Sequence, residues 1–416
     1  MKRMKIADLT PEMVLASDVI NCDGRFLLPA GAALTERSIR LCKAWGIVEA
    51  EIEGEEAPSF DAGRNDVDPA ALAAARRINE YRFLHAGTKH RAMRELENLS
   101  SLRKARAIEQ GLPGGRFSVI GDDDAEAVDD NVLLEPINLG RLSEFGLRLP
   151  TLPAVFDRIN ETIMNPNSSA GDIADVIGKD TALTSQLLGI VNSAFYGFVS
   201  KIDTVSRAVA IVGTKQLTSL VFGISVIKIF DRIPARHIDM QEFWRHSLAC
   251  GIAARIIAGY KQIQNTERLF VAGLLHDIGR LLMYRLWPEH SRRVLFAARR
   301  ESRLLYEVEK DLLDIDHAGI GALMAERWKL PFLLEAEIRN HHAPGNSYTR
   351  PETAIVHLAD IIAHVMEMGS SGEIFVPPLD EDTWNSLDIS ENLLTVIIDH
   401  VDRQINDVTA YFFPGS

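Results

Sequence analysis

The sequence predicts a mainly α-helical protein in which a small α+β module precedes a large all-α domain. Three observations carry this. From about residue 142 onward, capping residues recur at the heads of segments whose apolar side chains repeat with helical period. Alternation of the strand type is hard to find in the same stretch. The first fifty-odd residues have another texture, with short extended runs separated by turn residues.

In chain order, Met13 to Ile20 reads as a strand, Asn21-Cys22-Asp23-Gly24 as a turn and Arg25 to Pro29 as a second extended piece. Thr35 can cap a helix with Ile39, Leu41 and Trp45 as its apolar positions and Gly46 as its stop. Ile47 to Ile52 reads as a further strand. Residues 53 to 68 are acidic and polar, marked by Pro58 and Gly63, as a linker should be. Residues 69 to 110 are rich in Ala, Arg, Glu and Leu and read as helix, broken at Leu112-Pro113-Gly114-Gly115. The run Gly121 to Asp130 is acidic and expected to be a solvated loop. Beyond it, Ser168-Ser169 with Asp172 can start a helix burying Ile173, Val176 and Ile177. Asp180 can cap the next, with Leu183, Leu187, Leu188 and Val191 on one stripe, and Thr204 and Thr214 can start two more. The expected division is an α+β module at 1–56, a helical and acidic linker region at 57–135, and an all-α domain at 136–416.

Composition narrows the class. A chain of 416 residues, 46% hydrophobic and 25% charged, can build a real core and hold two or three domains. A formal net charge of -13 repels phosphates and anionic lipid heads, so nucleic acid and membrane are not favoured partners. Cys22, Cys42 and Cys250 are scattered and odd in number, which argues against a disulfide framework and fits a reduced cytoplasmic compartment. The basic start has no long apolar run behind it, so no signal peptide is expected. The most apolar stretch, Leu217 to Phe230, is too short for a membrane span.

The histidines carry the chemical information. Ten of the twelve lie after residue 236, several inside apolar helices. His276 and Asp277 sit in Val271-Ala272-Gly273-Leu274-Leu275-His276-Asp277-Ile278-Gly279-Arg280, flanked on both sides by residues that should be buried. A buried carboxylate costs several kcal/mol unless it is paired or bound to metal. Arg280 can address the same side of a helix as both, so an Asp277–Arg280 ion pair beside a hydrogen-bonded core histidine explains this segment by itself.

Glu242 and His246 stand one helical turn apart, although Asp239 and Glu242 also have the spacing of a capping box, the favoured role for Glu242. Downstream come His317, the pair His341-His342 before Ala343-Pro344, and His357-Leu358-Ala359-Asp360. Singly, the paired histidines could be polar surface at a helix end and Asp360 an ordinary half-exposed residue. Together, His246, His276, Asp277, His317, His341, His342 and Asp360 supply five imidazoles and two carboxylates. Nitrogen and oxygen ligands without thiolate suit iron, manganese, zinc or nickel, and seven ligands allow a pair of divalent ions.

The segments Leu149-Pro150-Thr151-Leu152-Pro153, Asn192-Ser193-Ala194-Phe195-Tyr196-Gly197, Thr204 to Gly213, Phe243-Trp244-Arg245-His246-Ser247 and Ala272 to Gly279 together resemble the HDOD domain, over about 142 to 345. That resemblance implies an all-α fold like that of the HD phosphohydrolases and a place in bacterial signal transduction, with protein partners in a pathway. The residues His246, His276, Asp277, His317, His341, His342 and Asp360 also match the metal-binding pattern of HD-GYP phosphodiesterases, which hydrolyse cyclic di-GMP. Glu242 falls where some of those enzymes have a further carboxylate ligand. Two departures stand against that activity. Arg280 replaces a phosphate-facing lysine, and Ala343-Pro344-Gly345-Asn346-Ser347 follows the histidine pair with no Gly-Tyr-Pro loop. The first fifty residues, through Met13 to Ala16 and Asp23 to Gly31, resemble the small domain that often precedes HD-GYP domains.

The favoured expectation is a regulatory protein whose HDOD domain binds one divalent ion or a pair and serves as a signalling or scaffolding module. The alternative is a metal-dependent phosphodiesterase or phosphohydrolase on a nucleotide or other phosphoester, with His276, Asp277 and Arg280 as its catalytic residues. A third reading is a metal-free hydrogen-bonded polar core that preserves the fold.

Overall fold

The computed structural model of the chain describes residues 67–112, 168–198, 200–230, 238–348 and 350–413 continuously, with shorter stretches within 2–52 and at 137, 158–159, 161–162 and 233. Residue contacts divide the chain into two units, one holding Met1–Val67 with Ile257–Gln264 and the other Asp68–Ile256 with Asn265–Ser416.

The first unit contains two small antiparallel pairs. Strand β1 (Lys2–Lys5) pairs with β4 (Glu49–Ile52), and β2 (Val19–Ile20) pairs with β3 (Phe26–Leu28). The basic start, to which the sequence reading assigns no element, is a strand: Met4 packs against the small core of Ile6, Leu9, Leu15, Val19, Leu34, Ile39, Cys42, Ala50 and Ile52. The expected strand Met13–Ile20 shrinks to its last two residues, with single bridges Val14–Ala33 and Leu15–Ile52 before it. Thr35 caps as expected, its Oγ1 accepting from Ser38 N at 3.1 Å. The predicted turn at Asn21–Gly24, the helix positions Leu41 and Trp45, the linker at 53–66 and the acidic loop at 121–130 lie outside the described residues.

The second unit is helical. The stretch expected as helix over 69 to 110 is a hairpin, α1 (Pro69–Arg82) and α2 (Arg91–Glu109). Asp68 caps α1 by accepting from Ala70 N and Ala71 N, with Pro69 at the first helical position, where its missing N–H costs nothing. Then follow α3 (Ala170–Gly178), α4 (Thr181–Val191), α5 (Val205–Val212) and α6 (Thr214–Ile229). Their starts match the sequence: Ser169 and Asp172 form the capping box, Asp180 accepts from Leu183 N, and Thr204 from Arg207 N. Buried Ile173, Ile177, Leu183, Leu187 and Val191 fill the stripes predicted for α3 and α4.

The site region comprises α7 (Met240–Tyr260), α8 (Thr266–Leu275), α9 (Ile278–Leu286), α10 (Pro288–Glu301), α11 (Leu305–Leu313), α12 (His317–Arg327), α13 (Phe332–Asn340) and α14 (Arg350–Val365). Two further helices, α15 (Glu381–Leu387) and α16 (Asn392–Phe412), close the chain. No described helix is long and apolar enough to cross a membrane.

Close backbone approach sets the geometry. A Cβ on Gly279 would lie 1.9 Å from the carbonyl oxygen of His317 and 2.8 Å from Gly321 N, so α9 and α12 touch at a place only glycine permits. A Cβ on Gly369, whose φ is +85°, would lie 2.2 Å from the carbonyl oxygen of Glu242 and 2.4 Å from His246 N. That contact lays the segment after α14 against the first turns of α7.

The α1–α2 hairpin packs on α14 through polar groups. Arg82 Nη2 donates to the carbonyl oxygen of His364 at 2.5 Å, and Ser100 Oγ to that of Val365 at 2.9 Å. Arg82 Nη1 and Lys104 Nζ lie 3.0 and 2.5 Å from Glu367 Oε1.

Candidate metal centre

Asp277 stands at the break between α8 and α9, and His276 just before it. The break lets both side chains leave the helix line towards one hollow. α7 brings His246, α12 opens with His317, the end of α13 gives His341 and His342, and α14 gives Asp360. His246, His276, His317 and His341 are fully buried, Asp277 and Asp360 are 1% and 2% exposed, and His342 is half-buried. The seven side chains expected to converge do so.

The distances describe one connected cluster. Asp277 Oδ1 lies 3.0 Å from His317 Nε2 and 3.9 Å from His341 Nε2, while its Oδ2 lies 3.3 Å from His276 Nε2 and 3.8 Å from His246 Nε2. Asp360 Oδ1 lies 3.2 Å from His246 Nε2 and 3.3 Å from His276 Nε2. His317 Nε2 is 2.9 Å from His342 Nε2 and 3.3 Å from His341 Nε2.

Close approach is not the same as hydrogen bonding here. Both oxygens of Asp277, Asp360 Oδ1, His276 Nε2 and both ring nitrogens of His246 are buried and make no contact of hydrogen-bond geometry. Orphaned buried polar atoms each cost about 1–3 kcal/mol, and a group of them facing one another is what a cation's ligands look like. The outer nitrogens support that reading. His276 Nδ1 bonds the carbonyl oxygen of Gly273 at 2.6 Å, His341 Nδ1 that of Ile338 at 2.8 Å, and His317 Nδ1 the Glu309 carboxylate at 2.5 Å. With Nδ1 bonded outward, each Nε2 faces the hollow, the arrangement metal-binding imidazoles use. In the metal-free fold, against burial, Asp277 raises His276 and Glu309 and Asp277 raise His317, so both must shed a proton to ligate. The residues present fit a divalent ion: they form three groups, His317–His341–His342, His246–Asp360–His364 and His246–His276–Asp277, each with ligand atoms within 4.8 Å of one another.

Electrostatics agree. Burial alone would raise the Asp277 carboxyl, but Arg280, His276 and His317 outweigh it and hold it well below the usual range. Asp360 is held low in the same way, against burial, by His364 and His276. Burial and neighbouring imidazoles push His246 down to about 4 and His341 to about 3, so both stay neutral and able to ligate. His317 moves up to about 9: Glu309 and Asp277 favour its charged form over the opposing effects of burial and Arg280.

Three expected or quoted residues take other positions. Glu242 lies outside all three groups; Asp239 Oδ1 caps the helix by accepting from Gln241 N at 2.8 Å and Glu242 N at 3.3 Å. Arg280 is 2% exposed and engaged, with Nη1 donating to Ser371 Oγ at 2.6 Å and lying 3.4 Å from Asp277 Oδ2, and Nε 3.7 Å from Glu309 Oε1. His357 faces the backbone, Nδ1 at 2.7 Å from the carbonyl oxygen of His341 and Nε2 accepting from Asp380 N.

Sequence reasoning missed Glu309 and His364. Glu309 also accepts from His317 N at 2.8 Å, yet belongs to another helix with no motif linking the two. His364 carried a usable signal, the i, i+4 spacing from Asp360 on one helix face.

Comparison with known proteins identifies a domain in this chain. The HDOD domain profile matches residues 149–344, of which 149–157, 160, 163–167, 199, 231–232 and 234–237 lie outside the described residues. The match reaches His246 through His342 and stops before Asp360. An uncharacterized protein of Treponema pallidum is 27% identical over 198 residues, covering 47% of this chain and 37% of the relative, so the chain spans little more than a third of that protein's length. Among solved structures, an HDOD domain protein of unknown function from Geobacter sulfurreducens superposes with a TM-score of 0.55 at 24% identity, covering 66% of this chain and 99% of the other. A candidate phosphohydrolase from Shewanella amazonensis gives 0.53 at 22% identity, over 66% of this chain and 97% of that one. A candidate signal transduction protein from Marinobacter aquaeolei gives 0.51 at 23% identity, over 65% and 60%. These likenesses support the fold. The helical body, the sequence segments and the profile agree that residues 149–344 form an HDOD domain.

Proposed function

We propose that this protein is a regulatory module whose HDOD domain holds one or two divalent ions in the buried histidine–aspartate hollow and works through protein partners in a signalling pathway. The observation that carries the reading is the set of orphaned, inward-facing ligand atoms on His246, His276, Asp277 and Asp360, backed by anchored Nδ1 atoms on His276, His317 and His341. His246, His276, Asp277, His317, His341, His342 and Asp360 would hold the metal. Iron, manganese, zinc and nickel all accept such nitrogen and oxygen donors. The regulatory role is favoured over turnover because Arg280, the group expected to steady a phosphate oxygen, is committed to Ser371, Asp277 and Glu309.

A metal-dependent phosphohydrolase on a nucleotide or other phosphoester is the second reading, supported by the same ligand set. A bound divalent ion supplies Lewis acidity and a water of lowered pKa. In that reading His276 and Asp277 fix the centre, and Arg280 must leave Ser371 to reach substrate.

Metal analysis of the purified full chain after growth with iron, manganese, zinc and nickel, with a screen of cyclic dinucleotides and generic phosphoesters, separates the readings. Near-stoichiometric metal without turnover is expected. Turnover abolished by Asp277→Asn transfers the conclusion to the hydrolase, and a chain that binds no divalent ion ends both.

A further inference from the structure

His364 lies one turn beyond Asp360 on α14, is 5% exposed, and no motif in the sequence assigned it a task. Its Nε2 is 3.3 Å from Asp360 Oδ1, and its ring centroid is 4.5 Å from that of His246. Asp360 Oδ1 thus has three imidazole Nε2 atoms, of His246, His276 and His364, within 3.3 Å. None of the three makes a bond of hydrogen-bond geometry with that oxygen. A histidine present only to satisfy Asp360 would donate to it. A histidine that shares a cation with Asp360 and His246 would sit beside it as this one does, with lone pairs converging and no proton between.

A second observation concerns access. His364 lines a small polar cavity together with Arg82, Glu242, Glu367, Gly369, Ser370 and Glu373. Among the ligands named above, it is His364 that borders this cavity. The cavity has about 20 Å³ of space, room for about one water beside His364.

We infer that His364 is a metal ligand, completing with His246 and Asp360 a cation-binding group separate from that of His317, His341 and His342. This rests on the reading of the hollow as a metal centre. It adds a ligand from beyond the stretch matched by the family profile, delivered by a helix turn whose carbonyl oxygen is held by Arg82.

The test titrates the full-length, metal-stripped chain with Co²⁺, reading bound-ion stoichiometry, dissociation constant and visible absorption. The wild type is compared with His364→Ala, His364→Cys and the remote control His400→Gln, with far-ultraviolet circular dichroism reporting the fold. His364→Ala is expected to lose one ion, or to bind at least tenfold more weakly with changed ligand-field bands. His364→Cys is expected to add a thiolate-to-cobalt charge-transfer band that wild type and His400→Gln lack. That band decides the matter even where the alanine variant fails to fold. Unchanged affinity in His364→Ala overturns the inference while leaving the metal centre intact, and so does weakened binding with no new band in His364→Cys, which would make His364 a positioning residue. A wild type that binds no cobalt overturns the metal centre itself.

Discussion

Two buried polar clusters lie along α14 and differ in how their charges are settled. Around Glu367, the guanidinium of Arg82 and the ammonium of Lys104 are 5% and 4% exposed and close on one carboxylate. Burial lowers the pKa of both bases, and Glu367 works against it. Around Asp277 and Asp360, by contrast, imidazoles outnumber acids, and both oxygens of Asp277 and Asp360 Oδ1 accept no hydrogen bond, whereas Glu367 Oε1 accepts from Lys104 Nζ. Buried charge alone therefore does not mark a site. In the first cluster the carboxylate is bonded within the protein; the second leaves carboxylate oxygens and imidazole nitrogens facing one another, as the ligands of a cation would.

The contrast breaks or sharpens under substitution. Asp277→Ala should have the largest effect, leaving Arg280 and His317 without their shared carboxylate. We expect a loss of about 3–5 kcal/mol in denaturant unfolding of the metal-free chain, together with loss of metal from the hollow. Glu367→Gln should cost about 3 kcal/mol by the same logic. It should leave metal stoichiometry unchanged, and a fall in stoichiometry would erase the distinction between the clusters. Replacing Arg82, Lys104 and Glu367 together by apolar residues of similar volume should be far milder than Glu367→Gln, because no charge is stranded.

Gly279→Ala comes next. Its methyl group meets the His317 carbonyl oxygen, so α9 and α12 must part, at a cost of about 1–3 kcal/mol. Metal affinity should fall with stability, because His317 moves away from Asp277. Stability loss with unaltered affinity would show that His317 is dispensable to the centre.

The smallest effect is a proton count. His317 in the metal-free fold has its pKa raised from 6.5 to about 9. Its contribution to that fold is present below pH 6.5 and is lost as pH rises through about 9. At pH 7.5 the Nε2 must shed a proton before it can ligate, so metal binding should release protons and tighten with pH up to about 9. Calorimetry in buffers of different ionisation enthalpy measures this, and a buffer-independent heat would remove His317 from the ligand set.

Local chemistry explains which parts were legible beforehand. The capping residues Ser169, Asp180 and Thr204 and the stripes behind them identified α3, α4 and α5, because caps and periodicity act within a few residues. The small α+β unit was harder. Its first strand, Lys2–Lys5, owes its conformation to pairing with Glu49–Ile52 more than forty residues away. The hairpin break between Arg82 and Arg91 was also missed, since the composition of 69 to 110 favours helix throughout.

The candidate site divides the same way. Buried polar residues in apolar segments announced His246, His276, Asp277, His317, His341, His342 and Asp360 from the chain alone, because hydrophobic surroundings make an imidazole or carboxylate costly without a partner. Which partner each one found was decided only by tertiary packing. Glu309 reached His317 from a separate helix, Arg280 turned to Ser371, and Glu242 stayed at the head of α7 beside the cavity that His364 lines. Such pairings depend on the approach of one helix to another, set at Gly279 and Gly369 by backbone contacts that no spacing in the sequence encodes.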